Sequence, residues 1–382
     1  MGMVDVFKNP RREPVPTVTP VGDGPRAFHR RLPGYGPTPL VAAPGLAAEL
    51  GVGSLWVKDE SSRLDLPSFK ILGASWAVSR LLFERLGAEP EWSTLADLRA
   101  AFGPLGLLTL VAATDGNHGR AVARMARLLG YPCRILVPAG TAAARVEGIE
   151  LEGATVEVVD GTYDDAVARS AALAADDVLV VSDTSWDGYI DVPTHVIEGY
   201  DTIFAEVDEQ LGGAPLDLVV VPMGVGALTA AVVAHYSSRA MVIAVEPVSA
   251  ACGLASARAG HPAFVPGPHR SIMAGLNCGA VSVVAWPAVS AGVDVFVAID
   301  DAAAERAMRE LAGLGVVAGE TGAASLAGLR ALVEHAGEPT VELTGKHALV
   351  LCTEGATDPV AYERIVGTPP PGQAGKAGST RQ

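Results

Sequence analysis

The sequence predicts an α/β fold built on mostly parallel sheets. Short runs rich in valine, leucine and isoleucine alternate along the chain with alanine-rich segments of helical spacing. The apolar runs are almost continuous, which is typical of parallel strands that are covered on both faces. Nine runs are predicted to be strands: Leu55 to Lys58, Leu108 to Ala112, Cys133 to Val137, Thr155 to Val159, Val178 to Ser182, Leu218 to Pro222, Val242 to Val245, Val293 to Val297 and Ala348 to Cys352.

Composition narrows the possible functions. With 49% hydrophobic and 19% charged residues, the 382-residue chain is an ordinary globular protein that can bury one large core or two smaller ones. Its net charge of −15 and its scattered basic residues argue against nucleic acid and anionic membranes as partners. The sequence has neither a signal-peptide core nor about 18 uninterrupted apolar residues, which predicts a cytoplasmic protein.

The four cysteines, Cys133, Cys252, Cys278 and Cys352, lack the close pair spacing of a zinc site, so no metal is expected. A reducing compartment also disfavours structural disulfides. We therefore expect most of these thiols to be buried as small hydrophobic groups.

Lys70 is the first candidate catalytic residue. It lies in the apolar stretch Ser68-Phe69-Lys70-Ile71-Leu72-Gly73, and outside the polar tails it alone among the lysines lacks an acidic neighbour within four residues. Desolvation would disfavour its ammonium form and leave the amine free to form a Schiff base with a carbonyl cofactor. The structural alternative is a lysine whose stem lies on the core and whose head reaches water.

Two loops favour the catalytic interpretation. Thr114-Asp115-Gly116-Asn117-His118-Gly119 follows a predicted strand and opens a helical segment from Arg120 to Leu129. Downstream, a second strand runs into Gly224-Val225-Gly226-Ala227-Leu228-Thr229, and a helix through Tyr236 follows. Such a glycine turn presents backbone amides and a helix N-terminus to a phosphate. Close packing of strand against helix also selects glycine, so the turn alone does not decide the function.

Together, these motifs resemble the fold type II family of pyridoxal-phosphate enzymes. The chain has that family's Ser-Phe-Lys segment, Gly-Asn-His-Gly loop and glycine turn, in the same order. Four stretches are most similar to the diaminopropionate ammonia-lyases within the family: Val57 to Ser61, Ala113 to Gly119, Ser182 to Tyr189 and Thr353 to Pro359. The resemblance runs from about Gly34 to Gly367, which is nearly the whole chain.

The resemblance implies two open-sheet domains with the active site between them. A small domain, residues 77–189, is inserted into a large cofactor-binding domain, residues 1–76 and 190–382. The ends, residues 1–20 and 368–382, are predicted to be loose tails rich in proline and glycine. A homodimer is also implied. Active sites of open sheets lie beyond the carboxyl ends of the strands, and all the polar loops fall there.

The resemblance also assigns contacts to the cofactor, pyridoxal 5'-phosphate. Lys70 matches the lysine that holds it, Phe69 the residue packed beside that linkage, and Asn117 the asparagine bonded to the phenolic oxygen. The pyridine nitrogen is usually met by a hydroxyl or thiol near the last strand, which points to Cys352 or Thr353. A neutral partner of this kind favours elimination over transamination.

Other positions follow from the same resemblance. His118 is expected to be a structural hydrogen bonder, and Glu320 lies in a family loop near the cofactor with no role that we can assign. Cys252 and Cys278 match loops on one side of the substrate entrance. The phosphate cup matches Gly224, Val225, Gly226, Ala227 and Leu228.

Two aspartates are expected to decide the chemistry. Thr114-Asp115-Gly116 stands where many dehydratases of this fold have a serine-rich loop beside the substrate carboxylate, so Asp115 places an acid there. Asp183 follows the strand from Val178 to Ser182 and is expected to point into the same cleft. Each aspartate alone could equally be a loop or helix-capping carboxylate. The pair is better explained by a substrate that carries an ammonium group.

The resemblance to the ammonia-lyases implies the α,β-elimination of 2,3-diaminopropionate to pyruvate and two molecules of ammonia as the expected reaction. The cofactor acts as the electron sink, so loss of the Cα proton needs only a well-placed base. Asp115 and Asp183 would approach Cα from opposite faces, each serving one enantiomer. Ser68 and the stretch Ala280-Val281-Ser282 depart from the ammonia-lyase pattern. The alternatives are therefore a serine or threonine dehydratase, or a β-replacement enzyme acting on another β-substituted amino acid.

A remote alternative is a nucleotide-binding oxidoreductase or a nucleotide-binding module. Gly224 and Gly226 follow a strand, and Glu246 ends the next strand, where a ribose-binding acid would sit. Thr229 replaces the third glycine of that motif, and Lys70 would have no role.

Overall fold

A computed structural model describes residues 3–13 and 21–371 of the chain. The strands are β1 (Asp5–Lys8), β2 (Leu40–Ala42), β3 (Ser54–Asp59), β4 (Thr109–Ala113), β5 (Cys133–Pro138), β6 (Thr155–Val159), β7 (Val178–Val180), β8 (Leu218–Pro222), β9 (Met241–Pro247), β10 (Val295–Ile299) and β11 (His347–Cys352). Each of the nine predicted strands is present, with ends within two residues of the prediction.

The described chain also contains fourteen α-helices. They are α1 (Gly24–His29), α2 (Pro44–Leu50), α3 (Lys70–Leu86), α4 (Leu95–Ala101), α5 (Asn117–Leu129), α6 (Ala143–Glu150), α7 (Tyr163–Ala171), α8 (Asp191–Leu211), α9 (Ala227–Tyr236), α10 (Cys252–Ala259), α11 (Trp286–Gly292), α12 (Asp301–Gly313), α13 (Ala324–Glu334) and α14 (Pro359–Val366).

The strands form two sheets, which confirms the predicted fold class. The larger sheet has the order β1-β10-β9-β8-β11-β3-β2, and the smaller has the order β6-β5-β4-β7. All neighbours in the smaller sheet are parallel, as are the five inner strands of the larger sheet. Only the two edge strands of the larger sheet, β1 and β2, pair in the antiparallel sense.

The beginning of the chain differs from the prediction of a loose tail. Asp5–Lys8 adds a strand to the edge of the larger sheet, with Phe7 opposite Phe296. Val6 is buried there, so a short apolar segment gains enough packing to become ordered. Residues 1–2, 14–20 and 372–382 of the two predicted tails lie outside the described residues.

Helices α3 and α8 cross closely and thereby place the start of α3. A Cβ atom on Gly199 would lie 2.5 Å from the carbonyl oxygen of Leu72, and one on Gly73 would lie 2.5 Å from the ring of Tyr200. Glycine is therefore required on both helices at the crossing.

In the described part of the chain, no helix combines the length and the apolar character needed to cross a membrane.

Candidate active site

Polar residues at the carboxyl ends of strands in both sheets line one cleft. Its lining includes Lys70 at the start of α3, the loop after β4, Asp183 after β7, the glycine turn after β8 and Thr353 after β11. These loops are far apart in sequence. They meet because parallel strands end at the same edge of each sheet, as expected for open α/β folds.

The end of β11 fixes the position of Lys70. The backbone amide of Phe69 donates to the carbonyl oxygen of Thr353 at 3.4 Å, and the amide of Gly355 donates to Pro67 at 2.9 Å. Phe69 also packs against Tyr200, with ring centroids 4.7 Å apart. The first turn of α3 is thus held between β11 and α8, and its lysine lines the cleft.

Lys70 is an ion-paired ammonium, contrary to the expectation from its apolar sequence neighbours. Its Nζ lies 2.6 Å from Oδ2 of Asp183. Burial opposes the charge, but the carboxylates of Asp183 and Asp115 outweigh burial and raise the pKa of Lys70. The prediction failed because these carboxylates are distant in sequence. In the cofactor-free protein the amine is therefore protonated.

Asp183 is buried and held by several groups at once. Besides Lys70, the hydroxyl of Tyr163 donates to its Oδ1 at 3.2 Å, and Nδ1 of His118 lies 3.9 Å from its Oδ2. Burial would raise the pKa of Asp183, but the ion pair with Lys70 outweighs it and lowers that pKa well below the ordinary range. Asp183 is a carboxylate at neutral pH.

His118 is anchored on the other side of its ring. Its Nε2 bonds the carbonyl oxygen of Val181 at 2.8 Å, while Nδ1 is buried without a hydrogen-bond partner among the described residues. Burial lowers the pKa of His118. The residue therefore stands beside Asp183 as a neutral ring.

Asp115 shares the cleft but has a different ionisation. Desolvation inside the cleft raises its pKa to about 6, and this effect exceeds the opposing influence of Arg145 and Lys70. Its Oδ2 faces Gly275, where a Cβ atom would lie 3.2 Å away. The two aspartates thus occupy one cleft with pKa values pushed in opposite directions.

The loop that carries Asp115 is shaped by Thr114 and glycine. The Thr114 hydroxyl accepts hydrogen bonds from the amides of Gly116 at 2.9 Å and Gly119 at 3.1 Å. Gly116 adopts φ of +144°, a conformation that disfavours side chains. Thr114 and Asp115 line the cleft, whereas Gly116 does not.

The glycine turn after β8 fits a phosphate group. All five residues from Gly224 to Leu228 line the cleft, and helix α9 begins within them at Ala227. Gly226 has φ of +95°, and a Cβ atom on Gly224 would lie 3.0 Å from the carbonyl oxygen of Gly275. Glycine is therefore favoured at both positions of a turn whose backbone amides can bind an anion.

Thr353 and Asn117 offer polar atoms to the rest of a cofactor. The Thr353 hydroxyl oxygen is buried in the cleft lining with no hydrogen-bond partner among the described residues, a cost that a ligand would remove. Asn117 donates from Nδ2 to Glu354, which fixes its amide. Cys352 instead packs in the core and donates to the Glu354 carbonyl oxygen at 3.6 Å. Of the two candidates for the pyridine nitrogen, Thr353 alone reaches the cleft.

The remaining predicted positions lie close by. Cys252 donates to the carbonyl oxygen of Gly224 at 3.6 Å, and Cys278 lies 3.3 Å from the Cβ position of the same glycine. Both thiols are free and buried, as are Cys133 and Cys352. Glu320 is buried outside the cleft lining, where desolvation raises its pKa to about 7.

Glu246 contradicts the oxidoreductase alternative. Its carboxylate accepts hydrogen bonds from the amides of Gly253 at 2.7 Å and Leu254 at 2.8 Å, so it caps α10. It is fully buried and does not line the cleft. No ribose could reach it.

Three residues of the site were missed in the sequence. Tyr163 lines the cleft and bonds Asp183, Glu354 holds Asn117, and Arg145 lies near Glu354. Tyr163 and Arg145 stand in helices α7 and α6 without a motif of their own. Glu354 belongs to a stretch that carried the resemblance, and its place one residue after Thr353 was the available signal.

Both the sequence and the structure are similar to those of known proteins. A diaminopropionate ammonia-lyase of Salmonella typhimurium is 35% identical, with 91% of this chain and 92% of that protein covered. The crystal structure of diaminopropionate ammonia lyase from Escherichia coli in complex with D-serine has a TM-score of 0.88 at 32% identity and covers 96% of this chain and 97% of that one.

More distant similarity extends to the dehydratases. A biosynthetic L-threonine dehydratase of Mycobacterium leprae is 31% identical, with 94% of this chain and 76% of that protein covered. Residues 31–344 match the family described as pyridoxal-phosphate dependent enzyme. The chain belongs to this family, and its cofactor is pyridoxal 5'-phosphate, as the motifs predicted.

Proposed function

We propose that the protein eliminates both amino groups of 2,3-diaminopropionate, which yields pyruvate and two molecules of ammonia. The observation that carries this proposal is the pair of carboxylates, Asp115 and Asp183, beside Lys70 in one cleft. A carboxylate near the α-carboxylate of an amino acid would repel it, but it attracts a second ammonium group. Similarity to diaminopropionate ammonia-lyases supports the same substrate.

The residues that would hold the cofactor follow from the fit of the cleft. The glycine turn, Gly224 to Leu228, would hold the phosphate, Lys70 would hold the aldehyde carbon, and Phe69 would lie beside that linkage, since all of them line the cleft. Asn117 and Thr353 would bind the phenolic oxygen and the pyridine nitrogen. When bound, pyridoxal 5'-phosphate supplies an electron sink that makes the Cα proton of an amino acid acidic.

Asp183 and Asp115 are the proposed bases for the Cα proton. Asp183 is a carboxylate at neutral pH, and its two oxygens are oriented by Lys70 and Tyr163. Asp115 becomes a carboxylate above a pH of about 6. We propose that each aspartate takes the Cα proton of one enantiomer.

Release of the first ammonia leaves 2-aminoacrylate, which hydrolyses in water to pyruvate and the second ammonia. The chain needs to supply no further base for this last step. One pyruvate should therefore appear with two molecules of ammonia for each substrate consumed.

A product assay on the cofactor-loaded protein tests the proposal. Pyruvate and ammonia are measured with both enantiomers of 2,3-diaminopropionate, and pyruvate or 2-oxobutanoate with serine and threonine. We expect the highest kcat/KM with diaminopropionate. A higher value with serine or threonine would contradict the proposal and assign a dehydratase function.

The assembly and the domain boundary are further proposals. We propose a cytoplasmic homodimer whose chain divides into a small domain, residues 77–189, and a large domain formed by the rest. The position of all strands of the smaller sheet between Thr109 and Val180 supports this division. Analytical ultracentrifugation of the purified protein would measure the assembly.

A further inference from the structure

Arg145 lies behind the cleft, against the loop that carries Asp115. It stands in the first turn of α6, and only 8% of its side chain is exposed. The Cβ position of Gly116 lies 3.1 Å from Arg145 Cδ and 3.3 Å from Arg145 Cβ. The stem of the arginine therefore packs directly on the backbone next to Asp115.

The head of Arg145 is buried without a full set of hydrogen bonds. Its Nη2 is 3.9 Å from Oε1 of Glu354, and its Nε has no hydrogen-bond partner among the described residues. A buried guanidinium is costly unless nearby negative charges compensate for the lost water. Glu354 and Asp115 are the two carboxylates that attract it most strongly.

We propose that Arg145 is a positioning residue for the elimination reaction. Its charge keeps Asp115 in the carboxylate form that can accept the Cα proton, and its stem fixes the loop on which Asp115 stands. The inference rests on the proposed function, in which Asp115 serves as the base for one enantiomer.

The groups around Asp115 explain why a cation is needed there. The other titratable groups that face it are Lys70 on α3, Tyr163 on α7, Asp183 after β7, Glu354 after β11 and Cys278 near Gly275. The carboxylates of Glu354 and Asp183 disfavour a charge on Asp115, and so does desolvation. Lys70 favours it but is already paired with Asp183 at 2.6 Å.

Arg145 exerts the strongest influence that opposes the rise in the pKa of Asp115. Without Arg145, Lys70 would be the one remaining cation that lowers the pKa of Asp115, while desolvation and the carboxylates of Glu354 and Asp183 would raise it. The pKa of Asp115 should then rise above about 6, and less of the residue would be ionised at neutral pH. Turnover that depends on Asp115 should fall as the pH falls through this raised value.

The first test compares pH profiles of kcat/KM for the two diaminopropionate enantiomers. Arg145→Gln should move the acidic limb upward by about one to three pH units for the enantiomer that Asp115 serves. The limb for the other enantiomer should stay in place. Arg145→Lys keeps a positive charge on a shorter side chain. Its acidic limb should lie between those of the wild type and Arg145→Gln.

Arg330→Gln is the matched control. Arg330 on α13 is equally buried, with 7% of its side chain exposed, and it pairs with Glu310 at 3.0 Å outside the cleft. Its loss removes a buried guanidinium without changing the charge around Asp115. It should reduce stability and leave both pH profiles unchanged.

The second test needs neither cofactor nor turnover. The infrared band of the protonated carboxyl group of Asp115 is isolated by subtracting spectra of the matching Asp115→Asn protein. Titration of this band in the cofactor-free protein gives the pKa of Asp115 directly. It should be higher in Arg145→Gln than in the wild type and intermediate in Arg145→Lys, which also serves if the glutamine variant does not fold.

The two tests separate the inference from the proposed function. An infrared pKa that is the same in the wild type and both Arg145 variants would overturn the inference, whatever the substrate. Equal shifts of the acidic limb for both enantiomers would also overturn it. A raised infrared pKa in a protein that does not turn over diaminopropionate would support the effect of Arg145 on Asp115 and reject the proposed function.

Discussion

Two groups of charges in this protein differ in how deeply they are buried and in how completely they are paired. The first, called the Arg63 cluster, consists of Lys58, Glu60, Arg63 and Glu206. All four side chains are at most 1% exposed, and two cations face two carboxylates. Lys58 Nζ donates to Thr38, Glu206 and Gln210 at 2.9 to 3.0 Å, so each of its hydrogens has an acceptor.

The second group, the cleft cluster, is unbalanced. Two cations, Lys70 and Arg145, face three carboxylates, Asp115, Asp183 and Glu354. Polar atoms of His118, Arg145 and Thr353 are buried there without hydrogen-bond partners among the described residues. None of the four residues of the Arg63 cluster has such an atom in the described structure.

The difference shows what each group does. Complete pairing offsets the cost of burying the charges of the Arg63 cluster. Arg63 lies directly before a turn in which Leu64 and Asp65 have φ of 52° and 59°. That turn leads towards Lys70. Incomplete pairing costs stability, and such unsatisfied groups in a native structure are typical of sites that a ligand completes.

Replacement of Lys70 should have the largest effect on turnover, and replacement of Lys58 provides the comparison. Lys70→Ala should abolish turnover, and borohydride should no longer fix the cofactor to the protein, because no other cleft lysine is present among the described residues. Lys58→Met is the matched control, a buried lysine outside the cleft, and should keep borohydride labelling. Labelling of Lys58 in the Lys70→Ala protein, located by peptide mass spectrometry, would contradict the assignment of the cofactor linkage to Lys70.

The two aspartates should differ from one another by enantiomer. Asp115→Asn and Asp183→Asn each keep the shape of the side chain and remove a base, which costs about a hundred- to ten-thousandfold in rate. Each variant should lose that factor in kcat for one diaminopropionate enantiomer and largely spare the other. Equal losses on both enantiomers would instead indicate a shared role in binding or in departure of the amine.

The sequence predicts the cleft better than it predicts the charges inside it. Lys70, Asp115, Asn117 and the glycine turn stand in local motifs, and the ends of parallel strands necessarily bring such loops together. The ion pair of Lys70 with Asp183 joins residues 113 positions apart, so no local pattern contains it. The lysine was therefore expected to be neutral, whereas its contact with the Asp183 carboxylate raises the pKa of Lys70 and favours the ammonium form.

Partners on helices were hidden for a related reason. Arg145 and Tyr163 belong to the first turns of α6 and α7, where their neighbours in sequence show ordinary helical patterns. Their role depends on how these helices pack beside the cleft. The edge strand β1 was missed because four residues are too few for an alternating pattern to decide between strand and tail.

A side chain in the glycine turn should weaken the cofactor site without destroying the cleft cluster. Gly226→Val places a side chain where φ is +95° and against Met223, Val281 and Ala285, which strains the turn that presents its backbone amides, so the Kd for pyridoxal 5'-phosphate should rise at least tenfold, about 1.4 kcal/mol. Gly212→Val is the control, because Gly212 also has positive φ, at +58°, but lies at the end of α8. An unchanged Kd in Gly226→Val would remove the turn from the site.

The smallest effect on turnover is expected from the Arg63 cluster. Glu206→Gln leaves the two cations, Arg63 and Lys58, with Glu60 as their one remaining counter-charge in the cluster, which should reduce the free energy of unfolding by about 3–5 kcal/mol. The cofactor-loaded folded protein should nevertheless keep the wild-type pH profile and enantiomer preference, because Glu206 does not line the cleft. Urea unfolding and steady-state kinetics measure the two quantities separately.

Glu209→Gln completes this comparison on the same helix, α8. The Glu209 side chain is 60% exposed and pairs with Arg26 and Arg30, so its loss should change the urea midpoint little. Acid should weaken the pairing of Glu206, because the hydrogen bonds and charges of Arg63 and Lys58 outweigh desolvation and lower the pKa of Glu206 to about 2. The stability that this carboxylate provides is present above its ordinary pKa and is lost as the pH falls towards 2.

If Glu206→Gln changed the enantiomer preference while Glu209→Gln did not, the Arg63 cluster would have to be counted as part of the active site.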